Sequence, residues 1–169
     1  MKRNVKRTAY LIVFMALAIA LSPFTSIPVG IAKINPTQHF VNVVLAVLVG
    51  TWWNVGAATG VSIIRNALGV GTLLAFPGSM IGACFSGILF RLTGKTWAAA
   101  GGEIIGTGLF GPLVGALLIA PGFMGKEIGV MALLPSFLLS SAAGSLLALA
   151  VINALEKAHV IDTKAFVRA

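Results

Sequence analysis

The run WAAAGGEIIGTGLFGPLVGALLIA, residues 97–120, decides the fold. Its 24 residues carry one charged side chain, Glu103. A helix needs about 20 apolar residues to cross the hydrocarbon layer of a bilayer, so this run reads as a transmembrane helix. Runs of the same kind flank it, at about 8–24, 36–53, 54–68, 76–92 and 128–155. The expected fold is therefore all-α and integral to the membrane, a bundle of six transmembrane helices forming one domain over residues 1–169. Helices two and three are the least regular. Thr51 to Gly56 leave little room for a loop, and the short third helix ends on Arg65 and Asn66. Five helices with one re-entrant segment is the alternative.

Composition supports lipid as the solvent. Of the 169 residues 58% are hydrophobic and 9% charged, against about a quarter charged in soluble domains. Mean hydropathy is +1.01. The net charge of +8 does not point to nucleic acid, because the basic residues sit at the chain ends and between the apolar runs, as membrane orientation requires. Six crossings put both termini on one side with Lys2, Arg3, Lys6, Arg7, Arg91, Lys95, Lys157, Lys164 and Arg168. The other side holds only Lys33, Arg65 and Lys126. Both termini are thus expected in the cytoplasm of a multi-pass cell-membrane protein. The loops at 25–35, 69–75 and 121–127 then face outward, and Trp52, Trp53 and Trp97 fall at the inner interface. The basic start followed by an apolar stretch and Ala18-Ile19-Ala20 imitates a secretory signal. The membrane-like sequence downstream favours an uncleaved first helix. Cys84 has no cysteine partner and no zinc-ligand neighbours, and reads as a small buried side chain.

Small residues recur at a spacing of four: Ala16 with Ala20, Gly56 with Gly60, Gly78 with Gly82, Gly102 with Gly106, and Gly111 with Gly115. Such stripes let helix backbones approach closely in lipid. Internal packing accounts for most of them. Ala16 and Ala20 are the candidate docking face for another membrane protein, since a terminal helix is easily peripheral.

No Walker A pattern occurs, so nothing in the chain is a recognisable means of hydrolysing ATP. The match of Gly106 to Gly111 to G-x-G-x-x-G is rejected, because that fingerprint has meaning only between a strand and a helix. His39 and His159 fall at opposite ends of the expected bundle, and no paired carboxylates or metal-ligand set are evident. No catalytic residue, metal or cofactor is therefore assigned to the chain.

Polar groups at membrane depth carry the functional signal, because they are costly there. Glu103 lies one helical turn from Thr107, and either pairs structurally, with Arg65 or a backbone group, or accepts a hydrogen bond from a ligand. Asn35, Gln38, His39 and Asn42 follow helical spacing and share a face. Asn35 and Pro36 also suit the N-cap and first turn of a helix. A third cluster joins Arg65 and Asn66 to Gly69, Gly71 and the run Phe76-Pro77-Gly78-Ser79. Convergence of the three on the outer half of the bundle gives an apolar cavity with a few directed polar groups, as a small-molecule site needs.

These passages, KINPTQH at 33–39, RN at 65–66 running to GVGTLLAFPGS at 69–79, and GEIIGTG at 102–108, resemble the substrate-binding S components of energy-coupling factor (ECF) vitamin transporters. More narrowly, the chain resembles the ThiW branch, associated with the thiazole precursor of thiamine, over nearly its whole length. The resemblance implies a six-helix protein that is not an enzyme, with cytoplasmic termini and a ligand site near the outer face. It implies docking, through an A-x-x-x-A pattern matched by Ala16 and Ala20, onto a transmembrane coupling protein carrying two ATPase subunits that use ATP. The implied ligand, hydroxyethylthiazole, is a small neutral ring with one hydroxyl. Phe76 and Phe40 are the expected walls, and Asn35, Gln38, His39, Asn42, Arg65, Asn66, Glu103 and Thr107 the expected polar contacts. Arg65 and Glu103 bracing each other is the structural alternative for that pair.

Three other readings stand beside this one. An S component for hydroxymethylpyrimidine or intact thiamine keeps the class and changes the ligand. An intramembrane enzyme using Glu103 and His39 lacks a matched nucleophile and base. A scaffold held by glycine stripes has little use for buried Asn, Gln and His.

Overall fold

The computed structural model describes residues 2–29, 32–161 and 163. Lys164 and Arg168, counted above toward the basic side, lie outside them. The described residues form six helices: α1 Lys2–Thr25, α2 Pro36–Leu48, α3 Thr51–Ala67, α4 Ala75–Thr93, α5 Thr96–Met124 and α6 Val130–Lys157. Two short strands, β1 Ile27–Val29 and β2 Ala32–Ile34, join α1 to α2.

Four helices are long and apolar enough to cross a membrane: α1, counted from Asn4, with α4, α5 and α6. α2 has 13 residues. At a rise of about 1.5 Å per residue it spans roughly 20 Å, short of a hydrocarbon layer about 30 Å thick. Its burial explains how so short a helix is accommodated. Every residue from Thr37 to Leu48 is buried, and a helix that is apolar on all sides is one enclosed by protein. α2 is the central post of the bundle, packed by α1, α3, α4, α5 and α6. α1 is the opposite case. Of its residues from Asn4 on, only Leu11, Ala18 and Ser22 are buried, and most of that apolar surface is exposed.

The break between the second and third helices, expected between residues 53 and 54, falls at Val49 and Gly50. Gly50 has φ 93°, a left-handed conformation open to glycine at little cost. The chain reverses there, and Trp52 and Trp53 begin α3 instead of ending α2. Hydropathy runs unbroken across this turn, which is why periodicity alone placed it late. The segment 25–35, expected as a plain loop, contains an antiparallel hairpin in which Ile27 faces Ile34, Pro28 faces Lys33 and Val29 faces Ala32.

α5 departs from a regular helix twice, widening to π geometry at Gly106–Phe110 and again at Gly115–Ile119. In each case the amide after the segment bonds five residues back, Gly111 to the Gly106 carbonyl and Ala120 to the Gly115 carbonyl. The next residue in each case is a proline, Pro112 or Pro121. Proline has no amide hydrogen, and its ring crowds the carbonyl four residues back. A wider turn before it relieves that clash within a single continuous helix.

Glycines set the α4–α5 spacing. A Cβ on Gly106 would stand 2.7 Å from the Gly82 Cα, and one on Gly102 2.6 Å from the Phe85 carbonyl oxygen. Neither distance is physical, so the two backbones touch only because both faces lack side chains.

Candidate ligand cavity

Three segments build the cavity at the hairpin end of the bundle. Asn35 caps α2, its side-chain oxygen accepting the Gln38 amide at 3.1 Å, while Pro36 occupies the first turn. The Asn35 amide in turn donates to Ser140 Oγ of α6 at 2.8 Å. Asn35 Nδ2 donates to Ser26 Oγ at 2.7 Å. The start of α2 is thereby tied to the hairpin and to α6.

One turn further along, Gln38 donates from Nε2 to Ser62 Oγ at 2.9 Å and to Ser79 Oγ. Its carbonyl oxygen accepts a hydrogen bond from Arg65 Nη1, and Arg65 Nη2 reaches Ser26 Oγ at 3.4 Å. Arg65 is buried and serves a neutral amide. The expectation that Arg65 and Glu103 brace each other is corrected here: the partner of Glu103 is His39.

His39 Nδ1 lies 2.8 Å from Glu103 Oε1. The same oxygen accepts Asn42 Nδ2 at 3.0 Å and meets Thr107 Oγ1 at 2.8 Å. Thr107 also lies 2.8 Å from the Gly78 carbonyl, so its single hydroxyl proton serves one acceptor at a time. Glu103 is fully buried, and its Oε2 has no partner among the described residues. A carboxylate oxygen accepts, so Nδ1 of His39 carries the proton and the ring orientation is fixed. The His39 side chain also lines the cavity. Gly82 makes room for this carboxylate, since a Cβ there would stand 2.7 Å from Oε1 and 2.8 Å from Oε2.

The cavity is narrow: its open space is about 20 Å³, room for about one water. Of the residues expected from sequence, Asn35, Gln38, His39, Arg65 and Thr107 line it. Asn42, Asn66, Phe76 and Glu103 are not on its surface. Asn42 and Glu103 lie behind His39, in the hydrogen-bonded layer described above. Asn66 braces the α3–α4 loop, donating to the Ser62 carbonyl at 2.9 Å and the Thr72 carbonyl at 3.4 Å. The expected aromatic walls are also corrected. Phe40 packs on Phe14 in the core, with ring centroids 6.4 Å apart, and the aromatic residue lining the cavity is Phe137 of α6. Lys33, Val70, Thr72, Ala75, Ser79 and Ser140 complete the wall. Nothing in the apolar run around Phe137 distinguishes it from a lipid-facing residue. Ser140, three residues and thus about one turn along, marks the same face only once α6 is known to pack on α2.

Asn54 is a further buried polar residue that sequence reading passed over. It donates to the Asn42 carbonyl at 2.9 Å and the Ala83 carbonyl at 3.1 Å, joining α3 to α2 and α4 below the cavity. An asparagine in an otherwise small and apolar run is the signal that was available.

Apolar helices around a narrow polar cavity define a membrane protein that handles a small solute. The model of the thiamine-precursor transporter protein (ThiW) family matches residues 8–158, and the chain belongs to that family. No curated protein and no solved structure matches it.

Proposed function

We propose that the chain is the substrate-binding S component of an ECF-type importer. It captures hydroxyethylthiazole at the outer face and delivers it inward with a transmembrane coupling protein and two ATPase subunits. In this reading all six helices cross the cell membrane, with α2 shielded by its neighbours, and both termini are cytoplasmic. The observation that carries it is the cavity at the hairpin end, walled by Phe137 and Val70 and furnished with His39, Gln38, Asn35 and Thr107. These suit a neutral ring with one hydroxyl. His39 Nε2 is an acceptor for that hydroxyl in the neutral ring, and the amides of Gln38 and Asn35 stand beside it.

The charges favour a neutral precursor over thiamine. Arg65 and Lys33 line the cavity and, among the described residues, no carboxylate does, Glu103 being behind His39. A cationic ligand would meet two cations and no counter-ion. So narrow a cavity requires the walls to part for a ring to enter. The hairpin, whose Ile27, Pro28, Val29 and Lys33 are exposed, and the α3–α4 loop border it and are the segments to move. Ala16 and Ala20, both exposed on α1, suit the docking face for the coupling protein.

The test is calorimetric titration of the detergent-purified protein alone with hydroxyethylthiazole, with thiamine, hydroxymethylpyrimidine and biotin as controls. Saturable binding of the thiazole alone is the expected result. Tight binding of a control instead keeps the transporter class and overturns the ligand. No binding of any of the four by folded protein overturns the reading.

A further inference from the structure

The end of the bundle away from the ligand cavity holds a second and roomier cavity, of about 210 Å³. It lies where the start of α1, the α2–α3 turn and the end of α4 meet, and is lined by Arg7, Gly50, Trp52, Trp53, Phe90 and Arg91. Two guanidinium groups border it and, among the described residues, no carboxylate does. Arg7 Nε is shut off from solvent without an acceptor among the described residues, and the ion pair found among those residues involves neither arginine. Fixed dipoles do not settle the sign of this cavity, because the C-terminal end of α2 and the N-terminal end of α3 meet beside it and oppose each other. The two full charges settle it. The site is built for an anion.

The neighbours say which kind. Trp52 and Trp53 are 76% and 59% exposed at the rim, and indoles prefer the headgroup level of a bilayer. A guanidinium fork matches the oxygens of a phosphate, while the apolar helix faces beside the indoles meet acyl chains. Free phosphate would gain nothing from those faces. We propose that this cavity binds the phosphate of an anionic membrane lipid, holding the basic end of the bundle against the headgroup layer. The proposal does not depend on which solute the opposite cavity takes.

The full-length protein in micelles is offered equal amounts of phosphatidylglycerol and phosphatidylcholine, and retained lipid is counted by native mass spectrometry. The expected result is one retained phosphatidylglycerol per chain at a preference of roughly 30-fold, the factor two interfacial arginines supply. The double substitution R7Q/R91Q removes the preference, R7K/R91K keeps a large part of it, and helicity by circular dichroism is unchanged in both. Should R7Q/R91Q not fold, wild-type protein still decides: millimolar inorganic phosphate leaves the bound lipid in place. Equal retention of the two lipids by wild type, a preference that survives R7Q/R91Q, or displacement by inorganic phosphate overturns the proposal.

Discussion

At the scale of single residues, the organising feature is a division of labour around one carboxylate. Glu103 takes hydrogen bonds from His39 and Asn42 and lies beside Thr107, yet it does not line the cavity. In the proposed function it acts through His39 as a positioning residue. Replacing it by glutamine keeps the shape and removes the charge that fixes the imidazole. A hydrogen bond to a charged group is worth about 1.5–3 kcal/mol, so Glu103→Gln is expected to weaken thiazole binding by roughly 10- to 100-fold. Titration calorimetry on a variant of unchanged helicity measures this, and an unaltered affinity would remove Glu103 from the site. His39→Ala takes away the cavity-lining imidazole itself and should cost at least as much. Arg65 behaves differently. Its contacts are Gln38 and Ser26, so Arg65→Met is expected to loosen the hairpin and to lower thermal stability as well as affinity. A loss of affinity with no change in melting temperature would instead mark direct ligand contact.

At the scale of elements, close packing of α4 on α5 sets where Glu103 and Thr107 stand. Gly82 sits against both Glu103 oxygens and against the Gly106 backbone. A methyl group there has nowhere to go, and overpacking a filled interior costs about 1–3 kcal/mol. Gly82→Ala is therefore expected to lower the melting temperature in detergent and to impair binding together. Gly56 has nothing within 4 Å of a would-be Cβ, so Gly56→Ala is the matched control and should leave both unchanged. Thermal unfolding followed by circular dichroism separates the two. The glycine stripes were visible in the sequence as close-approach faces. Which stripe meets which neighbour was not, because a spacing of four states that a face is smooth without naming the helix that covers it. The π turns before Pro112 and Pro121 have a local cause that sequence does contain, although a proline in a long apolar run is compatible with either a kink or a widened turn.

At the scale of the whole molecule, the two cavities divide the bundle into a polar, hydrogen-bonded end and a basic end. The first joins the hairpin, the α3–α4 loop and α6; the second joins the start of α1 to the α2–α3 turn and the end of α4. Lys33 and Arg65 line the first, Arg7 and Arg91 the second, and the proposed function puts the first outside and the second inside. In a Cys84→Ser background, Lys126→Cys is expected to react with a membrane-impermeant maleimide added to intact cells, and Lys6→Cys only after permeabilisation. The reverse pattern would invert the topology and put the ligand cavity inside. Ala16→Leu with Ala20→Leu probes the exposed face of α1. Uptake should fail while the isolated protein still binds ligand, and uptake at the normal rate would place the docking face elsewhere.

The sequence by itself determined the solvent, the helices and their order, since apolar length and the placement of charge are properties of the chain read one residue after another. It also marked Asn35, Gln38, His39, Arg65 and Thr107, because polar side chains in apolar runs stand out without any knowledge of their partners. Tertiary structure alone decided who those partners are. Arg65 serves Gln38, Glu103 holds His39, and Phe137 supplies the aromatic wall assigned in sequence to Phe76 and Phe40. It also decided that α2, too short to span on its own, is the buried post of the bundle. The physical reason is that burial and hydrogen bonding join residues far apart in the chain, such as His39 and Glu103. A local pattern records that a polar group needs a partner, and only the packing of helices determines which one is within reach.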